Sequence, residues 1–463
     1  MKPDLIKTNE IQNLDINSIK KIYLENINPG QVYYFNLLGF GDTHISSSDG
    51  VYYFDQKGQK ILDFAGGVGS LALGHNHPRI LAVRKKFNDE LRHEIGMNFY
   101  SQYVAALSNN LASICPGDLN FVILGNTGSE VMEQAIKMVE KYQGQDRSKI
   151  IFANNSFHGR TKGALSLTDS KSLRSSFRLV DGDIKVEFGD AQALKEILSS
   201  RKDIGGIVLE AIQGGAGIII PPAGYLKAVR DLCDEYDVLL IADEIQCGFG
   251  RTGKLFAFEF DNIIPDIVAI SKSLGGGKAA VSAAIVREPI YRKAYKDRKD
   301  WFLQMPSTFG GMGEACVTAN EAINILYDEN LIEKVAEKGL YFLDELKTLQ
   351  KKFPNLIKEV RGRGFMIGIE YQNLSDTIKP PLSFMVAAMD DKLKGSVTGF
   401  IGAILLNKYQ ILAGFTEYNR NVMRLHVPLI TEIAEINYFV KSLDTVLSKG
   451  ITGIVTDFIK LKF

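Results

Sequence analysis

Four stretches of the 463-residue chain place chemistry-bearing side chains directly after short apolar runs. Residues 121–124 lead into Gly125-Asn126-Thr127-Gly128-Ser129-Glu130. Small residues opening a helix leave backbone N–H groups and a positive dipole end facing outward, which suits a phosphate. An ordinary strand–helix turn capped by Ser or Thr has the same composition. Residues 149–153 lead into Asn155-Ser156-Phe157-His158-Gly159-Arg160. An aromatic beside a histidine at a strand end can stack on a planar ring, although in isolation a core Phe and a satisfied His are the better fit. Residues 238–242 run straight into Asp243-Glu244, and a carboxylate at the end of an apolar strand is costly unless it has a partner. After residues 266–270 comes Ser271-Lys272-Ser273, where a buried lysine loses pKa by desolvation, as a Schiff-base nucleophile requires. Considered alone, Asp243 and Lys272 also allow a plain structural salt bridge. Gly275-Gly276-Gly277 before Lys278 does not satisfy the phosphate-loop pattern and reads as a turn.

The elements that must position these residues alternate between strand and helix. From about residue 75 to 340, short Val/Ile/Leu-rich runs (including 206–210) alternate with helical stretches such as 130–142 and 225–236. That alternation indicates βαβ units and a mostly parallel sheet buried on both faces. Ligands of such sheets bind outside the carboxyl ends of the strands, where all four stretches fall. Residues 51–64 read as a hairpin around Gln-Lys-Gly, and a weak amphipathic helix is expected near 17–25. Beyond residue 340 a long helix (331–353) leads into the strand-rich segment 359–371. The expected organisation is an N-terminal segment (1–74) joining the small domain, a large α/β domain (75–341), and a smaller α+β domain (342–463).

A phosphate nest, an aromatic–His pair, an end-of-strand Asp and an end-of-strand Lys on one rim are together what pyridoxal 5′-phosphate (PLP) uses. Its aldehyde is held by Lys, its ring nitrogen by Asp, its face by an aromatic and its phosphate by a helix N-terminus.

Composition sets the surrounding limits. Lys+Arg and Asp+Glu number 54 each, so the net charge is zero and no basic excess points to nucleic acid. The four cysteines (Cys115, Cys233, Cys247, Cys316) form no C-x-x-C pair and are expected to be reduced thiols in a cytoplasmic protein. The N-terminus has no apolar core of a signal peptide, and no apolar run approaches the ~20 residues of a membrane span. His75 and His77 are too few for a metal site, and none is expected. Cys247 reads as a small core residue, and Trp301 with the basic cluster around 291–299 as a solvated helix face.

Over nearly the whole chain from about residue 50, the sequence resembles the class-III (ω-) aminotransferases, PLP enzymes of fold type I with a seven-stranded, mostly parallel sheet. The resemblance runs through LDFAGGVGSLALGHNHPRI, GNTGSEVMEQAIKMV, FHGRT, VLEAIQGGAGI, LLIADEIQCGFGRTGKLFAFE, PDIVAISKSLGGG, STFGGMGEAC and VRGRGFMIGIE. Its most specific part is the D-E-x-x-x-G-x-G-R-T-G block followed by the lysine. It implies that Lys272 carries the cofactor as a Schiff base and shuttles the substrate proton, while Asp243 pairs with the ring nitrogen. Phe157 would stack on the ring with His158 beside it, and Gly128 and Ser129 would bind the phosphate. Gln246 would lie near the phenolic oxygen, with Glu210 supporting the site from behind. Thr308 would reach the phosphate of a neighbouring subunit, implying a homodimer with shared sites, and Arg424 would bind a donor carboxylate. Family architecture also suggests that residues 1–35 cover the partner's active-site mouth.

Two departures bear on the substrate. Relatives that use glutamate carry Q-G-E-x-G, where this chain has Gln213-Gly214-Gly215-Ala216-Gly217, so the acid that would neutralise Arg424 is missing. Val68 stands where some relatives place a bulky aromatic. The implied activity is ping-pong transfer of an amino group from a donor (L-glutamate, L-alanine or an amine) to an aldehyde or ketone. The rival readings are an aminomutase or racemase of the same fold, and a catalytically idle homologue.

Overall fold

The computed structural model describes all residues except 1–4, 96–97, 296–306, 374–395, 417 and 463. Trp301 and the basic residues at 296–299 therefore lie outside the described residues.

Three sheets organise the chain. An N-terminal meander, β1 (Ile45–Asp49), β2 (Tyr52–Asp55) and β3 (Lys60–Asp63), is followed by seven strands of one large sheet: β4 (Leu119–Gly125), β5 (Lys149–Ala153), β6 (Ile184–Val186), β7 (Ile204–Glu210), β8 (Leu239–Asp243), β9 (Ile267–Ile270) and β10 (Ser282–Arg287). The remaining strands are β11 (Ile357–Arg363), β12 (Met366–Tyr371), β13 (Ile411–Leu412), β14 (Gly414–Phe415) and β15 (Val422–His426). The large sheet has the order β4-β10-β9-β8-β7-β5-β6, with β10 antiparallel to both of its neighbours and the other pairings parallel. Every residue of β7, β8 and β9 is buried, which is why these strands read as continuous apolar runs rather than alternating ones.

The helix Gly128–Gln143 starts where Thr127 Oγ1 accepts the N–H of Glu130 (3.3 Å), and it buries Val131, Met132, Ala135, Met138 and Val139 along one stripe. The helix Tyr225–Tyr236 buries Leu226, Val229, Leu232 and Cys233 and ends at Asp237, whose left-handed backbone (φ 54°) stops it. The hairpin expected over 51–64 is present as β2–β3, and β3 continues the sheet into β13 near the C-terminus, with Ile411 opposite Leu62. The other small sheet has the order β11-β12-β15-β14. The N-terminal helix spans Ile16–Ile22, and the long helix spans Leu331–Lys352. Gly276 and Gly277 form a turn with positive φ, packed on Ile80 and Leu71.

Candidate active site

The carboxyl ends of β4, β5, β7, β8 and β9 open onto one cavity of about 530 Å³. Val68, Gly128, Ser129, Phe157, His158, Glu210, Gly215, Asp243, Gln246, Lys272 and Arg424 all line it. Thr308 does not. It is exposed, beside Ser307, whose Oγ accepts from Asn126 Nδ2 (2.7 Å) just ahead of the helix that begins at Gly128.

The acidic anchor is Asp243, 3% exposed at the end of β8. Its Oδ2 meets His158 Nδ1 at 2.8 Å and its Oδ1 accepts the N–H of Ile245 at 3.1 Å. A carboxylate offers about four acceptor positions, so Asp243 retains capacity for a further donor. His158 is thus the partner of the aspartate rather than only a neighbour of the Phe157 ring. Its backbone N–H donates to Thr168 Oγ1 (2.9 Å). Glu210 ends β7 directly opposite Asp243 in the ladder. It accepts the N–H of Phe157 (3.0 Å) on one oxygen and that of Gly214 (3.2 Å) on the other, so it fixes the segments on both sides of the cavity wall. Burial pushes its carboxyl up to about 7, against the nearby His158 and with the help of Asp243.

Lys272 follows β9 with φ 38°, and Val68 has φ 59° in the turn Gly66–Gly69. Side chains other than glycine seldom adopt these angles, which cost on the order of 1–3 kcal/mol each. Both are held by one carbonyl. Ser273 Oγ donates to Gly69 O (3.0 Å), and the fully buried Arg251 donates to it from Nη2 (3.2 Å) while bonding Val427 O from Nη1. Among the described residues Lys272 forms no ion pair, so the plain Asp243–Lys272 salt bridge is not what the structure contains. Burial lowers the Lys272 ammonium from its ordinary value. The Arg424 charge acts in the same direction, and Asp243 and Glu210 oppose it.

These residues fit PLP. His158 Nε2 and Gln246 Oε1 are buried polar atoms without a hydrogen-bond partner among the described residues. The first turn of the helix from Gly128 offers N–H groups that have no intrahelical acceptor. Ser129 Oγ already accepts the N–H of Arg160 (3.2 Å), leaving its own proton as the group it can give. A Cβ at Gly214 would stand 1.4 Å from Gln246 Oε1, so a side chain there would push the Gln246 amide out of its present place.

His426, to which no motif points, lies close to Lys272 without lining the cavity. It is fully buried on β15, two residues after Arg424 and hence on the same strand face, and a Cβ built at Gly69 would lie 3.6 Å from its Cδ2 and 3.8 Å from Lys272 Cδ. Burial, with Arg424, Arg251 and Lys272 nearby, pushes its imidazole well below the usual range. The alternation in Arg-Leu-His was the available signal. Cys247 is buried, with Sγ 3.6 Å from Asp243 O, and Nε2 of His75 bonds Asp63 (3.0 Å) while His77 meets Glu329 (3.4 Å).

Comparison with known proteins gives the same picture. The ornithine aminotransferase of Toxoplasma gondii is 28% identical, with a TM-score of 0.80 over 100% of this chain and 99% of that one. An acetylornithine aminotransferase from Elizabethkingia anophelis is 25% identical, with a TM-score of 0.73 over 93% of this chain and 98% of that one. An (S)-enantioselective omega-transaminase from Thermomicrobium roseum shares the fold at 24% identity, with a TM-score of 0.80 over 96% of this chain and 98% of that one. The family profile described as Aminotransferase class-III matches residues 41–447, and with PLP-type residues gathered on the rim of a seven-stranded sheet the chain belongs to the class-III aminotransferase family.

Proposed function

We propose that this PLP-dependent aminotransferase works by a ping-pong cycle in which Lys272 is the catalytic base. We further propose L-glutamate, L-alanine or an amine as the donor, and an aldehyde or ketone as the acceptor. Bound PLP supplies an aldehyde that takes the amino group and a protonated ring that accepts the electron pair released at the donor Cα. Asp243 would keep the proton on the ring nitrogen, with His158 holding its carboxylate by the Nδ1 contact. The Phe157 ring would cover one face, with its backbone fixed by Glu210. The N–H groups of Gly128 and Ser129 would hold the phosphate, and Gln246 would serve the phenolic oxygen. Lys272 Nζ would hold the aldehyde at rest and, once freed, would take the proton from the donor Cα. Its depressed pKa suits it to that task. Arg424 receives a donor carboxylate, and Val68 leaves room where a larger side chain would close the pocket.

The observation that carries this reading is that Lys272 and the His158-supported Asp243 open onto one cavity. We also propose a cytoplasmic homodimer built from 1–74 with 342–463 as the small domain and 75–341 as the large one, with Thr308 serving the partner's phosphate. The exposed apolar side chains Leu91 (91%), Tyr100 (104%) and Phe309 (56%) lie in segments joined by the bond from Gly313 N to Glu94 O, and they support a contact there. Among the described residues no helix is long and apolar enough to cross a membrane, and the four cysteines are free. The test is to offer the PLP form a panel of amino acids and amines and to follow its conversion to the pyridoxamine form. Stoichiometric formation of a 2-oxo acid or aldehyde from the donor supports transamination, whereas migration of the amino group within one molecule supports the aminomutase alternative.

A further inference from the structure

Tyr418, in the connection between β14 and β15, touches the cavity wall. Tyr418 Oη donates to Ser156 O at 2.9 Å. Its ring lies against Gly215, where an added Cβ would stand 2.7 Å from Tyr418 Cε2 and 3.5 Å from Phe157 Cβ. A side chain at residue 215, such as the glutamate of Q-G-E-x-G, would therefore meet the Tyr418 ring. Gly215 lines the cavity, so the tyrosine ring backs the wall where the glycine offers no side chain. The connection itself is pinned: Asn421 N donates to Asn419 Oδ1 (3.1 Å) and Val422 N to Asn419 O (3.0 Å). Gly414 of β14 stands opposite Arg424 of β15. One side chain thus ties the hairpin that carries Arg424 to the loop that carries Phe157.

We propose that Tyr418 is a specificity-determining positioning residue. Its ring, seated behind Gly215, sets the width of the cavity between Phe157 and the β15 hairpin, and its hydroxyl holds the Phe157 loop in place. The inference rests on reading Phe157 as the ring-stacking residue and Arg424 as the donor carboxylate contact. With the tyrosine in position, donors with a wide apolar side chain meet a closed wall and small ones do not.

The test uses G215A, Y418A, Y418F and the double variant G215A/Y418A, with two independent readouts. The first is urea unfolding of the cofactor-free protein, which needs neither PLP uptake nor turnover. G215A alone raises the unfolding equilibrium constant about tenfold or more, as overpacking does, and costs far less in the Y418A background. The second is steady-state kinetics of the PLP-loaded enzyme. Y418A raises kcat/KM for a bulky aromatic donor relative to alanine by about tenfold or more, chiefly through KM, the scale set by a pocket that gains room for one group. Y418F keeps the wild-type donor ratio but weakens PLP retention. If G215A costs the same in both backgrounds, the contact is absent. If the stability cycle couples but the donor ratio is unmoved, Tyr418 is structural only. Either result overturns the proposal. Loss of all transamination by the wild-type enzyme would fall on the reading of Phe157 and Arg424 instead, and it would overturn the donor-selection role while leaving the unfolding cycle readable.

Discussion

Replacing His158 by alanine isolates the support given to the acidic anchor. The imidazole is 1% exposed, and its Nδ1 supplies one of the two hydrogen bonds that hold the Asp243 carboxylate. A hydrogen bond to a charged group contributes roughly 1.5–3 kcal/mol, or about 10–150-fold in an equilibrium constant. His158→Ala should therefore weaken PLP binding by about one to two orders of magnitude. It should also lower kcat, because the ring nitrogen then faces a mispositioned carboxylate. Truncating the ring also leaves a void, so His158→Asn serves as the control: its side-chain amide can donate from near the place of Nδ1 while leaving the far edge of the ring empty. Equilibrium titration of the visible cofactor band gives the dissociation constant for each protein. Recovery of most of the affinity in His158→Asn is expected. Wild-type affinity in His158→Ala, or an equal loss in both variants, would refute the claim that the Nδ1–Asp243 bond organises the site.

Two further outcomes are expected. Burial raises the folded-state pKa of Glu210 to about 7 from an ordinary value of 4.5. Between those values the folded chain keeps a proton that the unfolded chain has released. The associated stability is complete below the unfolded pKa and is lost as pH rises through the folded one, by at most about 1.4 kcal/mol per pH unit for one proton. Urea midpoints of Glu210→Gln should fall less steeply with rising pH across that window than those of the wild type, and identical slopes would place the proton elsewhere. Thr308→Ala should speed loss of PLP more than it slows turnover, as measured by dialysis and activity together, and unchanged retention would count against a site shared between subunits.

How much of this was legible in the sequence follows from which interactions are local. The cores of β7 and β8 were readable because continuous apolar runs end in Glu210 and Asp243, and the lysine after β9 was readable for the same reason. Strand β10 (Ser282–Arg287) was not, since its alanines carry little strand preference and its place between β4 and β9 is a long-range choice. Polar, exposed β1 (Ile45–Asp49) was equally silent. Within the site, residue types and strand ends disclosed the groups but not their pairing. Asp243 was open to Lys272 or a ligand in the sequence, and only the meeting of the loops after β5 and β8 gives it His158. Tyr418 lies in no motif, and its role arises from a contact between segments far apart in the chain. The bare Gly215 was visible as a departure, while its steric cause was not.

The most direct measurement is the visible spectrum of Lys272→Ala alongside single-turnover activity. Lys272 is the only lysine among the described residues that line the cavity, and on the proposed reading the variant should lack the absorption of the lysine-bound cofactor and show no turnover with any donor. A Lys272→Ala protein that retains that absorption and wild-type turnover would contradict the account.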